Sequence, residues 1–337
     1  MSTKLLQDNE TNSVALVWPD MKNVEKYKND LKDFYSDFIN LLLQFNIRVF
    51  LVINDKDDMR KLTNKLSSNL IANLKMIKFS CDDIWIRDYS PLIALDTITS
   101  EYICINYSIN GYGGKYNYKK NEDFNKKFNS ILFKKKFKSL NIRDIFLEGG
   151  NIIFDDKIIL FNKQTLRSHN KNSLALENFR SILTNMNYKI ENIDIKNISG
   201  DDTNGHIDNL VRIYKNNILY MSTDDKNHPD YEILKELSAQ LKVKSKIFPE
   251  YNLIPINHTY DDTITDKGTF LPFSYLNYLH CGKSIFIPKI GNVSENVLNT
   301  MNEIFKENQI KFIDISSLLK EYGGLHCCTF NFKYNEN

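Results

Sequence analysis

Five polar clusters lie in or beside strand-like stretches of this sequence, where polar side chains need a reason. They are Asp82-Asp83-Ile84-Trp85-Ile86-Arg87-Asp88-Tyr89-Ser90-Pro91, then Glu148-Gly149-Gly150-Asn151, then Asp201-Asp202-Thr203-Asn204-Gly205-His206-Ile207-Asp208, then Ser274-Tyr275-Leu276-Asn277, and last Gly323-Gly324-Leu325-His326-Cys327-Cys328-Thr329. The thiolate is the reactive form of cysteine. A cysteine after a glycine pair is readily exposed, because glycine permits a tight turn and close approach of a ligand. Adjacent side chains of an extended segment point to opposite faces, so one of Cys327 and Cys328 can face a given cleft while the other packs inward. The same residues also suit a buried structural thiol, the usual state of cysteine.

In an extended run His206, Asp208 and Leu210 share a face, which projects a histidine and a carboxylate together as an acid/base pair or a cation clamp requires. A surface strand with polar residues at alternate positions has the same spacing. Asp88 is surrounded in sequence by Ile84, Trp85, Ile86, Leu92 and Ile93, and an unpaired carboxylate among apolar groups is costly. Arg87 is its neighbour, but in an extended strand it points the other way. If Asp88 and Asp208 line one cleft, they need a cation between them. Magnesium favours further oxygen ligands and several waters, whereas a planar guanidinium presents forked donors that match carboxylates. Zinc is the rival, with His206, His326, Cys327 and Asp208 as chemically suitable ligands; against it, no CxxC or HxxxH spacing occurs in the sequence.

The elements that must position these groups alternate between two periodicities. Leu31, Phe34, Phe38, Leu41 and Phe45 follow the rhythm of one apolar helix face, as do Met59, Leu62, Leu66 and Leu70, and Leu176, Phe179 and Leu183. Two further stripes are Ile233, Leu234, Leu237, Leu241 and Val293, Val297, Met301, Ile304, Phe305. Strand-like runs lie between them at Val14 to Trp18, Arg48 to Ile53, Tyr102 to Tyr107, Ile152 to Phe154, Ile158 to Phe161, Ile218 to Met221 and Ser284 to Pro288. The pattern is mixed α/β without a low-complexity linker, which predicts a single domain over residues 1–337.

Bulk properties narrow the function classes. Of the 337 residues 42% are hydrophobic, and 44 basic residues nearly cancel 42 acidic ones for a formal charge of +2. That balance gives no reason to expect nucleic acid or a membrane surface as partner. Lys119 to Lys138 is rich in lysine and asparagine but lacks an aromatic stacking platform, so it reads as a solvated helix face. The first residues hold no apolar core of a secretory leader. Five cysteines form an odd set without regular spacing, which argues against a disulfide framework and for a cytoplasmic chain with reduced thiols.

At the five clusters the sequence resembles the agmatine deiminase family, whose wider class also holds peptidyl-arginine and arginine deiminases and amidinotransferases. Trp18-Pro19 resembles the family's early WP, and Asp83-Ile84-Trp85-Ile86-Arg87-Asp88 with Ser90-Pro91 its DxWxRDxGP segment. Asn110 with Gly113-Gly114-Lys115-Tyr116 is similar to NxWGGKY, Glu148-Gly149-Gly150 to EGG, and Asp202 to Asp208 with Arg212 to DTDGHxDxxxR. Ser274-Tyr275-Leu276-Asn277 is similar to SYxNF and His326-Cys327-Cys328-Thr329 to the terminal HCxT. The pieces occur in the family's order across most of the chain. Departures are Tyr112 in place of tryptophan, Asn204 in place of aspartate, Tyr322 where the final glycine run is shortened, and Phe330-Asn331 in place of Gln-Gln. They leave the chemistry readable and bear on the substrate's tail.

The resemblance implies a five-bladed α/β propeller, with pseudo-fivefold strand–helix repeats around a central pocket. It implies Cys327 as nucleophile, His206 as acid/base, Glu148 as the orienting carboxylate, and Asp88 and Asp208 as the guanidinium clamp. Trp85 would lie against the flat substrate head, with Asp83 and Arg87 completing the substrate-binding set. The reaction implied is cofactor-free and metal-free deimination of agmatine to N-carbamoylputrescine and ammonia through a Cys327 thiouronium, a step toward putrescine and polyamines, in a homodimer. Arginine or peptidyl-arginine is the alternative substrate, and Arg87, Arg212 or Lys115 could then meet the arginine carboxylate. An inactive guanidine-binding protein on the same scaffold is the alternative of another class.

Overall fold

In the computed structural model the described residues are 3–19, 28–54, 66, 68–132, 137–170 and 173–334. One unit recurs: two antiparallel strands, then a helix, then a strand returning parallel to the second. Val211–Tyr214 and Asn217–Ser222 pair antiparallel, helix Tyr231–Lys244 follows, and Asn252–Asn257 lies parallel to Asn217–Ser222. Leu279–Cys281, Ser284–Lys289, helix Glu295–Ile304 and Gln309–Asp314 repeat it. So do Ile152–Phe154, Ile158–Asn162, helix Ser173–Asn185 and Lys189–Ile193. Leu92–Asp96, Tyr102–Ser108, helix Lys119–Leu132 and Lys138–Phe146 make a fourth, widened by Thr3–Leu5 at its edge.

The fifth unit is built from both ends of the chain. Phe330–Phe332 pairs antiparallel with Ser13–Val17, which runs parallel to Arg48–Ile53 after helix Lys28–Gln44, and Leu74–Lys78 adds a further parallel strand. Central strands such as Ser13–Val17 and Ile158–Asn162 are buried at every position. A strand covered on both faces reads as an uninterrupted apolar run, which is why the sequence shows these segments so clearly. The helices bury one stripe each: Leu31, Tyr35, Phe38 and Leu42 in the first, Leu234, Leu237 and Leu241 in Tyr231–Lys244. Lys119–Leu132 buries Phe124, Phe128 and Leu132 and leaves Lys119, Lys120, Lys126 and Lys127 exposed, the arrangement expected of a solvated helix face. Met59, Leu62 and the run Lys134 to Lys136 lie outside the described residues. Among the described residues no helix is long and apolar enough to cross a membrane.

Each of the five polar clusters immediately precedes the first strand of one unit. Ile86–Tyr89 leads into Leu92–Asp96, Gly149–Asn151 into Ile152–Phe154, and Ile207–Asn209 into Val211–Tyr214. Residues 274–277 lead into Leu279–Cys281, and 325–328 into Phe330–Phe332. This repeated placement brings residues far apart in sequence to common ground.

The local conformation differs from the extended runs expected of these clusters. Asp88 sits in a single helical turn, Ile207–Asn209 is a 3-10 turn capped by His206, and Cys327 and Cys328 lie in a turn. Their backbone is fixed by bonds from elsewhere, not by pairing within a sheet. Asp201 accepts from the amides of Thr203 and Gly205, and the Arg87 amide donates to the Cys327 carbonyl at 3.2 Å.

Candidate active site

Asn277 shapes the turn that carries the thiols. Its Oδ1 accepts from the amides of His326 (3.0 Å) and Cys327 (3.3 Å), and its Nδ2 donates to Asn209 Oδ1 (2.9 Å) and to Cys327 Sγ (3.1 Å). The turn separates the two cysteines. Cys327 lines a cavity of about 220 Å³, whereas Cys328 is fully buried with Sγ directed at the Leu325 carbonyl, 3.6 Å away. Burial pushes the Cys327 thiol well above its usual range, and the nearby Asp208 and Asp88 charges push it further. Burial raises Cys328 to about 12. Without an added cation, therefore, neither thiol ionises near neutrality.

Behind Cys327 lies a chain of histidines and carboxylates. Glu148 accepts from His169 Nδ1 on one oxygen (3.0 Å) and from His206 Nε2 on the other (3.3 Å). His206 Nδ1 is 3.5 Å from Asp88 Oδ1. Burial disfavours the His206 imidazolium, but the Asp88 charge, the Glu148 hydrogen bond and the Asp208 charge overcome it and raise the group to about 10. Burial alone would raise Glu148, yet the hydrogen bonds from His169 and His206 leave it below its usual value. His206 is thus a cation paired to ionised Glu148 at neutral pH, poised to give up a proton.

Asp88 accepts from the Gly150 amide (2.9 Å) and from the Tyr112 hydroxyl (2.9 Å). Asp208 Oδ2 accepts from His326 Nδ1 at 2.7 Å and stands 3.6 Å from Cys327 Sγ, while its Oδ1 is buried with no hydrogen-bond partner among the described residues. Burial raises Asp208 to about 7 despite the opposing His206 charge. His206, Asp88 and Asp208 meet at Gly150. A Cβ there would sit 2.6 Å from His206 Nδ1, 2.8 Å from Asp88 Oδ1 and 3.1 Å from Asp208 Oδ2, so only glycine leaves them room to converge.

Asp82, Asp83, Asp88, Asp202 and Glu321 line the cavity with Cys327, and among the described residues no lysine, arginine or histidine does. Trp85 forms a wall, its ring packed so tightly on Gly323 that a Cβ there would come within 2.5 Å of it. Asp83 accepts from the Trp85 amide and from Asn121 Nδ2, each at 2.8 Å, and is raised to about 7, chiefly by burial. His206, Asp208 and Glu148 stand behind this lining, fully buried. Arg87 is not brought to this cavity. Its guanidinium donates to Asn331 Oδ1 (2.6 Å) and to the His326 carbonyl (3.4 Å), and it lines a separate cavity of about 680 Å³ with Arg212 and His326. The helical turn that aims Asp88 at Cys327 turns its neighbour away. Lys115 likewise spends its ammonium on the Asp202 carbonyl and Asn204 Oδ1.

Two groups of this centre escaped the sequence reading. His169 ends helix Lys163–His169, outside any polar cluster, and nothing in its surroundings signals a partner for Glu148. Asn277 belongs to a recognised cluster, but its bonds to the cysteine turn are set by folding alone. The zinc set does not assemble: among the described residues no group of three or more His, Cys, Asp or Glu could hold a metal ion.

Fold and centre together define an α/β protein of repeated mixed sheets with a Cys–His–carboxylate constellation beside an acid-lined cavity. The chain belongs to the Porphyromonas-type peptidyl-arginine deiminase family, whose model matches residues 7–332. A Latilactobacillus sakei protein with the provisional name agmatine deiminase is 25% identical over 348 residues, covering 94% of this chain and 92% of its own. The substrate-bound Cys-to-Ser variant of C. jejuni agmatine deiminase superposes with a TM-score of 0.85 at 21% identity, covering 98% of this chain and 96% of its own. A Pseudomonas aeruginosa dimethylarginine dimethylaminohydrolase variant complexed with citrulline gives 0.54 at 12% identity, over 96% and 99%. These structural likenesses establish the fold.

Proposed function

We propose that this enzyme hydrolyses agmatine to N-carbamoylputrescine and ammonia. The observation that carries the reading is the cavity beside Cys327, lined by five carboxylates and by no basic side chain among the described residues. Such a lining favours a small cation, and a substrate charged at both ends more than one carrying a carboxylate. The names of the relatives support the same substrate.

In this reading Asp88 and the open Oδ1 of Asp208 hold the flat guanidinium, with Trp85 against its face and Asp83 near by. The bound cation offsets the carboxylate charges that oppose ionisation of Cys327. Cys327 then loses its proton to solvent, and the thiolate forms a C–S bond to the guanidinium carbon. The C–N bond then breaks as His206, held by Glu148 and His169, gives its proton to the departing ammonia. Neutral His206 next takes one proton from water, whose oxygen attacks the thiouronium carbon. The C–S bond then breaks, the remaining hydroxyl proton passes to solvent as the product carbonyl forms, and Cys327 leaves as thiolate. No metal or cofactor takes part. Arg87, on the far side of the cysteine turn, drops out of the substrate-binding set.

The proposal extends to the five recurring units as five blades around a central pocket, to residues 1–337 as one domain, to a homodimer and to the cytoplasm as its site of action. Ammonia release from agmatine, arginine and a blocked arginyl peptide, measured side by side, tests the substrate. Agmatine should be preferred, and equal or better turnover of either other compound would refute the assignment.

A further inference from the structure

Two aromatic residues among those described hold a left-handed backbone, Tyr112 at φ 57° and Tyr322 at φ 69°, and both line the 220 Å³ cavity. For a bulky residue that conformation is a true outlier, kept only where the surroundings impose it and often where function uses it. Tyr112 has an evident task, since its hydroxyl holds Asp88. Tyr322 has no part in the reaction described above, and glycine would occupy its backbone without strain.

Its position indicates another use. The Tyr322 amide donates to the Leu319 carbonyl at 2.9 Å and Gly323 is pressed against the Trp85 ring, so the turn is pinned on both sides. Tyr322 is 41% exposed and Tyr116 is 53% exposed, against 7% for Cys327, which places the two phenols at the outer end of the cavity. The Tyr116 hydroxyl donates to Asp202 Oδ2 at 2.6 Å. Asp202 and Glu321 complete this outer lining.

We propose that Tyr322 determines tail specificity: with Tyr116, Asp202 and Glu321 it forms a collar that accepts an unbranched chain ending in a primary ammonium and rejects a tail bearing an α-carboxylate or a peptide. The inference rests on the guanidine reading of the inner cavity. Aromatic faces attract an ammonium through the ring quadrupole, and the paired carboxylates add charge attraction. The same carboxylates repel an anionic tail, and the phenols narrow the opening against a branch, so selection works by exclusion as well as by fit.

Steady-state kinetics of Tyr322→Gly and Tyr322→Phe with agmatine, butylguanidine and arginine, alongside thermal melts, test this. Tyr322→Gly should keep or raise the melting temperature. It should raise KM for agmatine about tenfold with little change in kcat, because a desolvated ammonium–ring contact is lost. The preference for agmatine over butylguanidine and over arginine should narrow together, and Tyr322→Phe, which keeps the ring, should retain both. Unchanged KM and preferences in Tyr322→Gly would overturn the inference. So would a loss shared equally by all three substrates together with a lower melting temperature, which would make the residue merely structural. If the wild-type enzyme turned over none of the guanidines, the reading of the inner cavity would fall, and the collar with it.

Discussion

The turn at residues 325–328 stands between two cavities, one lined by charges of both signs and one by acidic groups. His326 lines the larger, of about 680 Å³, where Arg87, Arg212, Lys4, Lys157, Lys215 and Lys283 mix with Asp8, Glu10, Asp155, Asp156 and Glu307. Much of that charge is spent internally: Arg212 pairs with Asp8 at 3.0 Å, Lys215 with Glu307 at 2.8 Å. Cys327, the next residue, lines the smaller, where the ionisable lining apart from the thiol and tyrosines is acidic. Size therefore misleads here, and the sign of the lining is the better guide. A buried field of one sign selects its opposite, whereas a balanced and self-paired lining selects little. Adjacent residues serve the two sides because a turn, and not a strand, carries them.

The sharpest break of this comparison is at the thiol. Cys327→Ser should abolish turnover, since an alcohol cannot supply the thiolate at this site, while a guanidine should still bind through Asp88 and Asp208. Cys328→Ser should keep turnover and lose about 1–3 kcal/mol of stability, the cost of a buried hydroxyl with poor partners. Intact-mass spectra after a haloacetamidine should show one adduct, at Cys327. An adduct at Cys328, or an active Cys327→Ser enzyme, would reverse the two roles.

Gly150 comes next. Its missing Cβ is the common ground of His206, Asp88 and Asp208, and a misplacement of about 1 Å in a catalytic group can cost on the order of a hundredfold. Gly150→Ala should lower kcat/KM by about that factor while circular dichroism shows an intact fold. A kinetically normal Gly150→Ala enzyme would show that the three groups need not converge.

A smaller effect concerns protons. Asp208 and Asp83 are both raised to about 7, first of all by burial. A cationic substrate binds their ionised forms, so kcat/KM for agmatine should fall as pH drops below about 7, approaching about tenfold per unit for each of the two carboxylates that must be ionised. Asp208→Asn should lower kcat/KM at least about tenfold at pH 8, the worth of a charge-assisted hydrogen bond. A profile flat from pH 5 to 8 would mean that neither carboxylate binds the cation.

How much of this could be read in advance follows from what is local. Central strands such as Arg48–Ile53 and Ile158–Asn162 stand out because burial on both faces leaves a nearly unbroken apolar run. The polar clusters stand out because each interrupts that pattern just before the first strand of a unit. Their conformation was hidden, since Asn277 and Asp201 bend the chain through bonds that exist only in the folded state. His169 was hidden for the same reason. The fifth sheet joins Phe330–Phe332 to Ser13–Val17 across nearly the whole sequence, a pairing no local window contains. Arg87 shows the limit most clearly: the family resemblance put it in the substrate-binding set, and a single helical turn carries its side chain to the other cavity.

That separation yields the smallest expected effect, and it tests whether the two cavities communicate. The Arg87 side chain does not line the acidic cavity, yet its charge, with that of Arg212, opposes the rise of Asp208. Arg87→Gln removes the charge and keeps hydrogen-bonding groups for Asn331 and the His326 carbonyl. Without that charge Asp208 should bind its proton more tightly, so the acid limb of kcat/KM should move to higher pH. The move should stay below about one pH unit, because the charge acts at a distance through other buried groups. At pH 8, where Asp208 remains ionised, kcat/KM for agmatine should change less than about threefold. Stability should fall by roughly 1–3 kcal/mol through the weakened charge-assisted bonds. A pH-independent loss of tenfold or more would instead place Arg87 on the substrate. An unmoved limb would show that the larger cavity exerts no field on the smaller one.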